Sequence, residues 1–178
     1  MSLTLGSIDP ARRDDMALTD ERVTYSWNQL DPILNRAANG MAFAVDGTRR
    51  AGVFAPNSAE AVIAYVAGLE AGVSTVPISY HLTAGEVSYI LRDSRASVLF
   101  VGPETAEAGL AAATEVGIGT VIGWRCPPTP GLIDWEEWLA ESSSQETADE
   151  HLGTPDRRDP AALRMRNPPG DGQAEHGG

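Results

Sequence analysis

Between Gly52 and Val101, short apolar runs rich in β-branched residues alternate with stretches whose apolar positions recur every three to four residues. Pro, Asn, Ser, Thr or Gly stands at each boundary. Ala51 to Ala55 predicts a strand closed by Pro56-Asn57-Ser58, where Asn57 or Ser58 is placed to cap the next helix. In that helix Val62, Tyr65, Val66 and Leu69 form a stripe at helical spacing, which is read as its buried face. Gly72 then supplies a left-handed stop. Val73 to Pro77 predicts the next strand. Thr83 and Glu86 follow with the spacing of a capping box, opening a helix with Val87, Ile90 and Leu91 on its inner face. Ser97 to Val101 is almost continuously apolar, as a strand covered on both faces should be. Glu104 to Val116 predicts an Ala-rich helix and Thr120 to Ile122 a weaker strand. Strands and helices alternating at this spacing give right-handed crossovers: an α/β fold, a mostly parallel sheet with helices on both faces.

The flanks are less regular. Residues 1–22 are polar and charged and are expected to form an extended or frayed lead-in. Val23 to Ser26 alternates like a short strand. Ser26 and Gln29 have capping-box spacing, but Pro32 would sit too deep in a helix begun there, without a donor and against the preceding turn. The expectation is therefore a turn at Trp27 to Leu30, then a helix capped by Asp31 with Pro32 as its first residue. Ile33, Leu34, Ala37, Ala38 and Met41 form its core stripe. Past Gly123, Cys126-Pro127-Pro128-Thr129-Pro130 excludes regular structure. Ile133 to Ala140 predicts a short helix with Trp135, Trp138 and Leu139 on one side, a packing patch because no arginine interleaves the aromatics as in a base-stacking platform. The organisation expected is a lead-in at 1–22, an α/β subdomain at 23–140, and a linker with a disordered or frame-altered tail at 141–178.

Composition narrows the chemistry. A chain of 178 residues suits one domain. A net charge of −12 argues against nucleic acid and anionic membrane surfaces as partners. No apolar run approaches the roughly 18 residues of a spanning helix, and the start has no apolar core of signal-peptide length. A single cysteine, Cys126, makes no internal disulfide, which suits a cytoplasmic location. With no His or Lys beside it in sequence, it reads as an idle thiol. All 13 basic residues are arginine, so no step requiring a lysine ammonium is available. His81, His151 and His176 are far apart and lack a second ligand at zinc spacing, and His81 reads as a loop-packing residue. The helix N-terminus after Phe54 could hold an anion, but Pro56 removes a donor and no second glycine admits a phosphate, so capping is the expected role. A nucleophile elbow, a Walker lysine motif and a dinucleotide fingerprint are all absent from the sequence.

The order of these signals resembles the N-terminal subdomain of AMP-forming acyl-CoA synthetases and their adenylating relatives. The residues that carry the resemblance are T-Y-S-W-N-Q-L at Thr24 to Leu30, N-R-A-A-N-G-M at Asn35 to Met41, and a later series: Pro56-Asn57-Ser58, Ala64-Tyr65, Ala67-Gly68, Ala71-Gly72, Val76-Pro77-Ile78, Leu82-Thr83, Glu86, Tyr89-Ile90-Leu91, Asp93-Ser94 and Ala96. It spans Val23 to Ile122, and the wording P-I-S-Y-H-L-T looks like the fatty-acid-activating branch. The resemblance implies a ligase that activates a carboxylate with ATP to an acyl-adenylate and transfers the acyl group to coenzyme A. ATP, Mg and coenzyme A are thus implied for a complete family member.

The family's chemistry uses a phosphate loop of the type Y-T-S-G-T-T-G-x-P-K, an aspartate, an arginine and a C-terminal lysine. Asp159 to Leu163 resembles the strand leading into that loop, but Arg164 to Ala174 lacks its threonines and lysine. Gly170 and Gly172 are a weak remnant of the loop as cofactor-binding residues, with Asp171 between them set to repel a phosphate. Codons for 170–175 read one base on permit the missing loop, a frame change that sequencing the 3′ end of the gene would test. The expectation for this chain alone is no catalytic residue, no metal site, no cofactor and no ligase activity. The alternative is an interaction module that docks through an exposed apolar face on a complementing synthetase chain or on a second copy.

Overall fold

The computed structural model describes residues 8–145. Two strands, β1 (Met16–Thr19) and β2 (Thr24–Ser26), pair antiparallel as a hairpin, after which α1 (Trp27–Ala44) runs to the main sheet. Then come β3 (Arg50–Phe54), α2 (Ala59–Glu70), β4 (Ser74–Ile78), α3 (Ala84–Ser94), β5 (Val98–Val101), α4 (Ala106–Val116), β6 (Thr120–Gly123), β7 (Ile133–Asp134) and α5 (Trp135–Glu141). The sheet order is β4-β3-β5-β6-β7, with every neighbouring pair parallel.

Alternation along the strands divides the core in two. Val53, Val98, Phe100 and Ile122 join the cluster built with α1, α2 and α5, while Phe54, Leu99, Val101 and Val121 join the one built with α3 and α4. Successive strand residues point to opposite faces, so both faces must be covered. On the first face Phe100 meets Trp138 and Trp135 edge-on, with ring centroids 5.5 and 6.1 Å apart. The tryptophans of α5 are thus a packing patch, as the sequence suggests.

The boundaries follow local chemistry. Ser58 Oγ accepts from the Ala61 N–H at 3.2 Å and caps α2, and Gly72 adopts φ +64° beyond its end. The Glu86 carboxylate accepts from the Thr83 N–H at 2.9 Å, closing one arm of the capping box on α3. Arg49 sends its guanidinium to the carbonyls of Ala71 and Gly72, and Arg50 reaches Ser94 O at 2.8 Å, so cations sit at the C-terminal ends of α2 and α3. At Gly109, α4 lies so close to β5 that a Cβ would stand 2.6 Å from Val101 Cγ1.

Four expectations are corrected. First, α1 starts at Trp27 and carries Pro32 within it. Two first-turn donors are satisfied from outside the helix, since Trp27 and Asn28 N–H donate to Asp15 and Arg13 carbonyls at 3.3 and 3.0 Å, while Gln29 Oε1 within α1 accepts from the N-cap Ser26 N–H at 2.9 Å. These bonds offset the one that Pro32 cannot make. Second, the lead-in contains a strand, since Met16–Thr19 pairs with β2 and the Asp20 carboxylate shapes the turn by accepting from Arg22 and Val23 N–H.

Third, the buried face of α2 is rotated from the expected stripe: Tyr65 and Val66 pack partly buried against the core, but Val62 and Leu69 do not. Ile63, Ala64, Ala67 and Gly68 are buried, whereas Leu69 is 73% exposed and Val62 43% exposed. At Gly68 the helix approaches the sheet too closely for a side chain, because a Cβ there would run into the Thr75 methyl. The small residues therefore face inward. Fourth, Ile133–Asp134 is a strand, and α5 begins after it with Asp134 Oδ1 accepting from Glu136 and Glu137 N–H.

Candidate functional site

In an open parallel sheet, ligands settle beyond the carboxyl ends of the strands, where the strand order reverses. The reversal here lies between β3 and β5, because β4 is added on one side of β3 and β5 on the other. That point is closed by the chain itself. Thr105 is 2% exposed; its hydroxyl donates to the Phe54 carbonyl and accepts from Gly102 N–H at 3.1 Å. The Trp124 N–H donates to Val101 O at 3.2 Å beside it. A Cβ at Gly102 would be tightly bounded by Ala55, Glu104 and Trp124 at 3.3–3.4 Å.

The second place to look is the N-terminus of α2, which follows β3. A helix start with an arginine beside it is the ordinary recipe for holding a phosphate. The arginine is present: Arg125, in the turn after β6, adopts φ +56° and points its guanidinium at the helix start. Its Nη2 lies 2.7 Å from Asp20 Oδ2 and its Nε 2.8 Å from Glu60 Oε1. Asp20 Oδ2 also accepts from the Ala59 N–H, at 3.0 Å. The anion in this cradle is therefore the chain's own carboxylate, carried there by the β1–β2 turn.

The three side chains are 12–19% exposed, so their charges are largely withdrawn from water. The N–H groups of Ala59 and Arg22, together with the Arg125 guanidinium, hold the Asp20 carboxyl far below the usual carboxylate range despite its burial. Burial works against the Arg125 charge, but its bonds to Asp20 and Glu60 outweigh that and raise its pKa. At this helix start the Ala59 N–H is bonded to Asp20, and the Arg125 guanidinium to Asp20 and Glu60.

Two cavities lie nearby. One of about 560 Å3 sits among Cys126, Pro127, Pro128 and Pro130, and its charged wall residues, Asp134 and Glu137, are both acidic. The other, about 190 Å3, lies among Tyr25, Glu60, Trp135 and Glu136. Burial raises the Tyr25 phenol, and the charges of Glu60 and Glu136 add to the shift. Burial, then Asp134 and Glu60, raise the Glu136 carboxyl as well. The charged lining of the first cavity is acidic and disfavours an anionic substrate, whereas the second places Arg36 in the same wall as Glu60 and Glu136.

A pH effect follows from Glu136. A carboxyl raised in the fold contributes stability when protonated; that contribution is complete below the unfolded value of about 4.3 and is lost as pH rises through the folded value. Glu136→Gln is expected to raise Tm at pH 7, by a small amount because the residue is exposed, and the advantage should shrink towards pH 4. Thermal melts of both proteins at the two pH values check this; an unchanging difference would contradict it.

Of the residues singled out in the sequence, Ser58 caps α2 as expected, and His81 is exposed with its ring 3.9 Å from that of Tyr80. Cys126 is half-buried, its thiol raised by burial and by Asp134 and Glu104, and its S–H donates to Trp124 O at 3.3 Å; it is not an activated nucleophile. Gly170, Gly172, His151 and His176 lie outside the described residues. Sequence reasoning missed Asp20, Glu60, Thr105 and Arg125. Arg125 is 65 residues from Glu60 and 105 from Asp20, so no local pattern links them. Among the described residues no group of three or more His, Cys, Asp or Glu is arranged to hold a metal ion, and no helix is long and apolar enough to cross a membrane.

The parallel α/β sheet with helices on both faces is the class of fold, and sequence comparison gives the family. Residues 9–164 match the AMP-binding enzyme family, and the chain belongs to it. The long-chain-fatty-acid–CoA ligase FadD13 of Mycobacterium tuberculosis is 33% identical over 135 residues, which are 74% of this chain and 24% of that enzyme. The chain thus spans about a quarter of the length of the curated relative it matches, in its N-terminal part. Among solved structures, the anthranilate CoA ligase AuaEII in complex with anthranoyl-AMP superposes with a TM-score of 0.66 at 21% identity, covering 76% of this chain and 27% of that one. A benzoate CoA ligase from Burkholderia xenovorans gives 0.66 at 18% identity over 79% of this chain and 28% of its own. ATP-bound MatB from Rhodopseudomonas palustris gives 0.63 at 20%, over 82% and 28%. These likenesses establish the fold, which is that of the N-terminal region of adenylate-forming enzymes.

Proposed function

We propose that this chain is the N-terminal scaffold of an AMP-forming fatty-acid–CoA ligase, and that the 178-residue polypeptide does not itself form an acyl-adenylate. The observation that carries this is the stretch Arg164 to Ala174, which lacks the threonines and lysine of the phosphate loop that the resemblance implies after Leu163. The absence of lysine from the sequence supports it, because the adenylating chemistry implied by the resemblance uses one. The fatty-acid class rests on the 33% identity to a long-chain-fatty-acid ligase. ATP, Mg and coenzyme A then belong to the complete enzyme, with this segment supporting residues that bind them. The purified chain, given ATP, Mg and fatty acids of graded length, is expected to show no acid-dependent exchange of pyrophosphate into ATP. Exchange above background that scales with protein would overturn the reading.

A second reading is an interaction module that docks on a complementing synthetase chain. The outward side of α2 favours it, with Leu69 73% and Val62 43% exposed, as does Phe43 near the end of α1 at 94%. A well-behaved monomer in sedimentation at micromolar concentration would weaken this reading, while co-purification of a synthetase polypeptide would support it.

A further inference from the structure

We draw no further inference here: the strongest candidate, the cavity of about 190 Å3 lined by Tyr25, Arg36, Glu60, Trp135 and Glu136, holds one unpartnered oxygen, Glu60 Oε2, that is sealed from solvent, and nothing in the structure points to a ligand there.

Discussion

Arg125→Ala is expected to destabilise the fold by about 3 kcal/mol, a fall in Tm on the order of 10 °C. The guanidinium is the counter-charge of two carboxylates, Asp20 and Glu60, that are 15% and 12% exposed. Removing it leaves both charges largely withdrawn from water without their ion-pair partner. Truncating one partner of such a cluster is far costlier than replacing all of it by neutral groups. The triple variant Arg125→Met, Asp20→Asn, Glu60→Gln is therefore expected to recover most of the loss. Backbone strain is a separate contribution, because Arg125 holds φ +56°. Arg125→Gly relieves that strain but leaves the carboxylates unpaired, so it should remain well below the wild type. Urea denaturation of the four proteins separates these contributions. If Arg125→Ala lies within about 0.5 kcal/mol of the wild type, as an ordinary surface change would, the cluster is not the clamp described.

The cluster also makes an acid-side expectation. Asp20 has a folded value well below its ordinary one, so its contribution is present above the unfolded value of about 3.9 and is lost as pH falls towards the folded value.

Phe100→Ala should cost about 3–5 kcal/mol, the usual range for emptying a fully buried aromatic site. Phe100 is 0% exposed on the central strand β5 and touches both tryptophans of α5 edge-on. α5 is a helix of 7 residues, too short to persist without packing. The variant should therefore lose the near-ultraviolet signal of Trp135 and Trp138 before the main sheet melts, while Phe100→Leu retains most of it. A loss under about 1 kcal/mol with the aromatic signal intact would mean that α5 is not held by this contact.

The elements between β3 and α4 were legible because each carries its own signals: β-branched runs for strands, the Thr83–Glu86 box, the stop at Gly72. What failed locally failed for identifiable reasons. Pro32 argued for a late start to α1, and the bonds that outweigh it come from Asp15 and Arg13, outside any helical pattern. In α2 both sides are apolar, so periodicity could not choose between them. The choice fell to size, and size matters only once Thr75 of the neighbouring strand is known to press on Gly68. The site was the least legible part. Glu60 reads as an ordinary acidic residue in a first helical turn, and Arg125 as one loop residue before a proline run. Only the sheet topology brings β6 and the hairpin turn to the same helix N-terminus. The Ser58 cap of α2 was legible from its residue type, whereas the Asp20 carboxylate that bonds the same helix start was unforeseen.

The central claim is that the 178-residue chain alone does not hold a nucleotide, since the phosphate loop is missing from its sequence and the start of α2 is bonded to the chain's own Asp20. Calorimetric titration of the purified 178-residue chain with ATP and Mg tests it most directly. The account predicts no saturable heat at ATP concentrations up to about 1 mM, a standard free energy no better than about −4 kcal/mol. Saturable binding in the micromolar range, abolished in Arg125→Met, would contradict it.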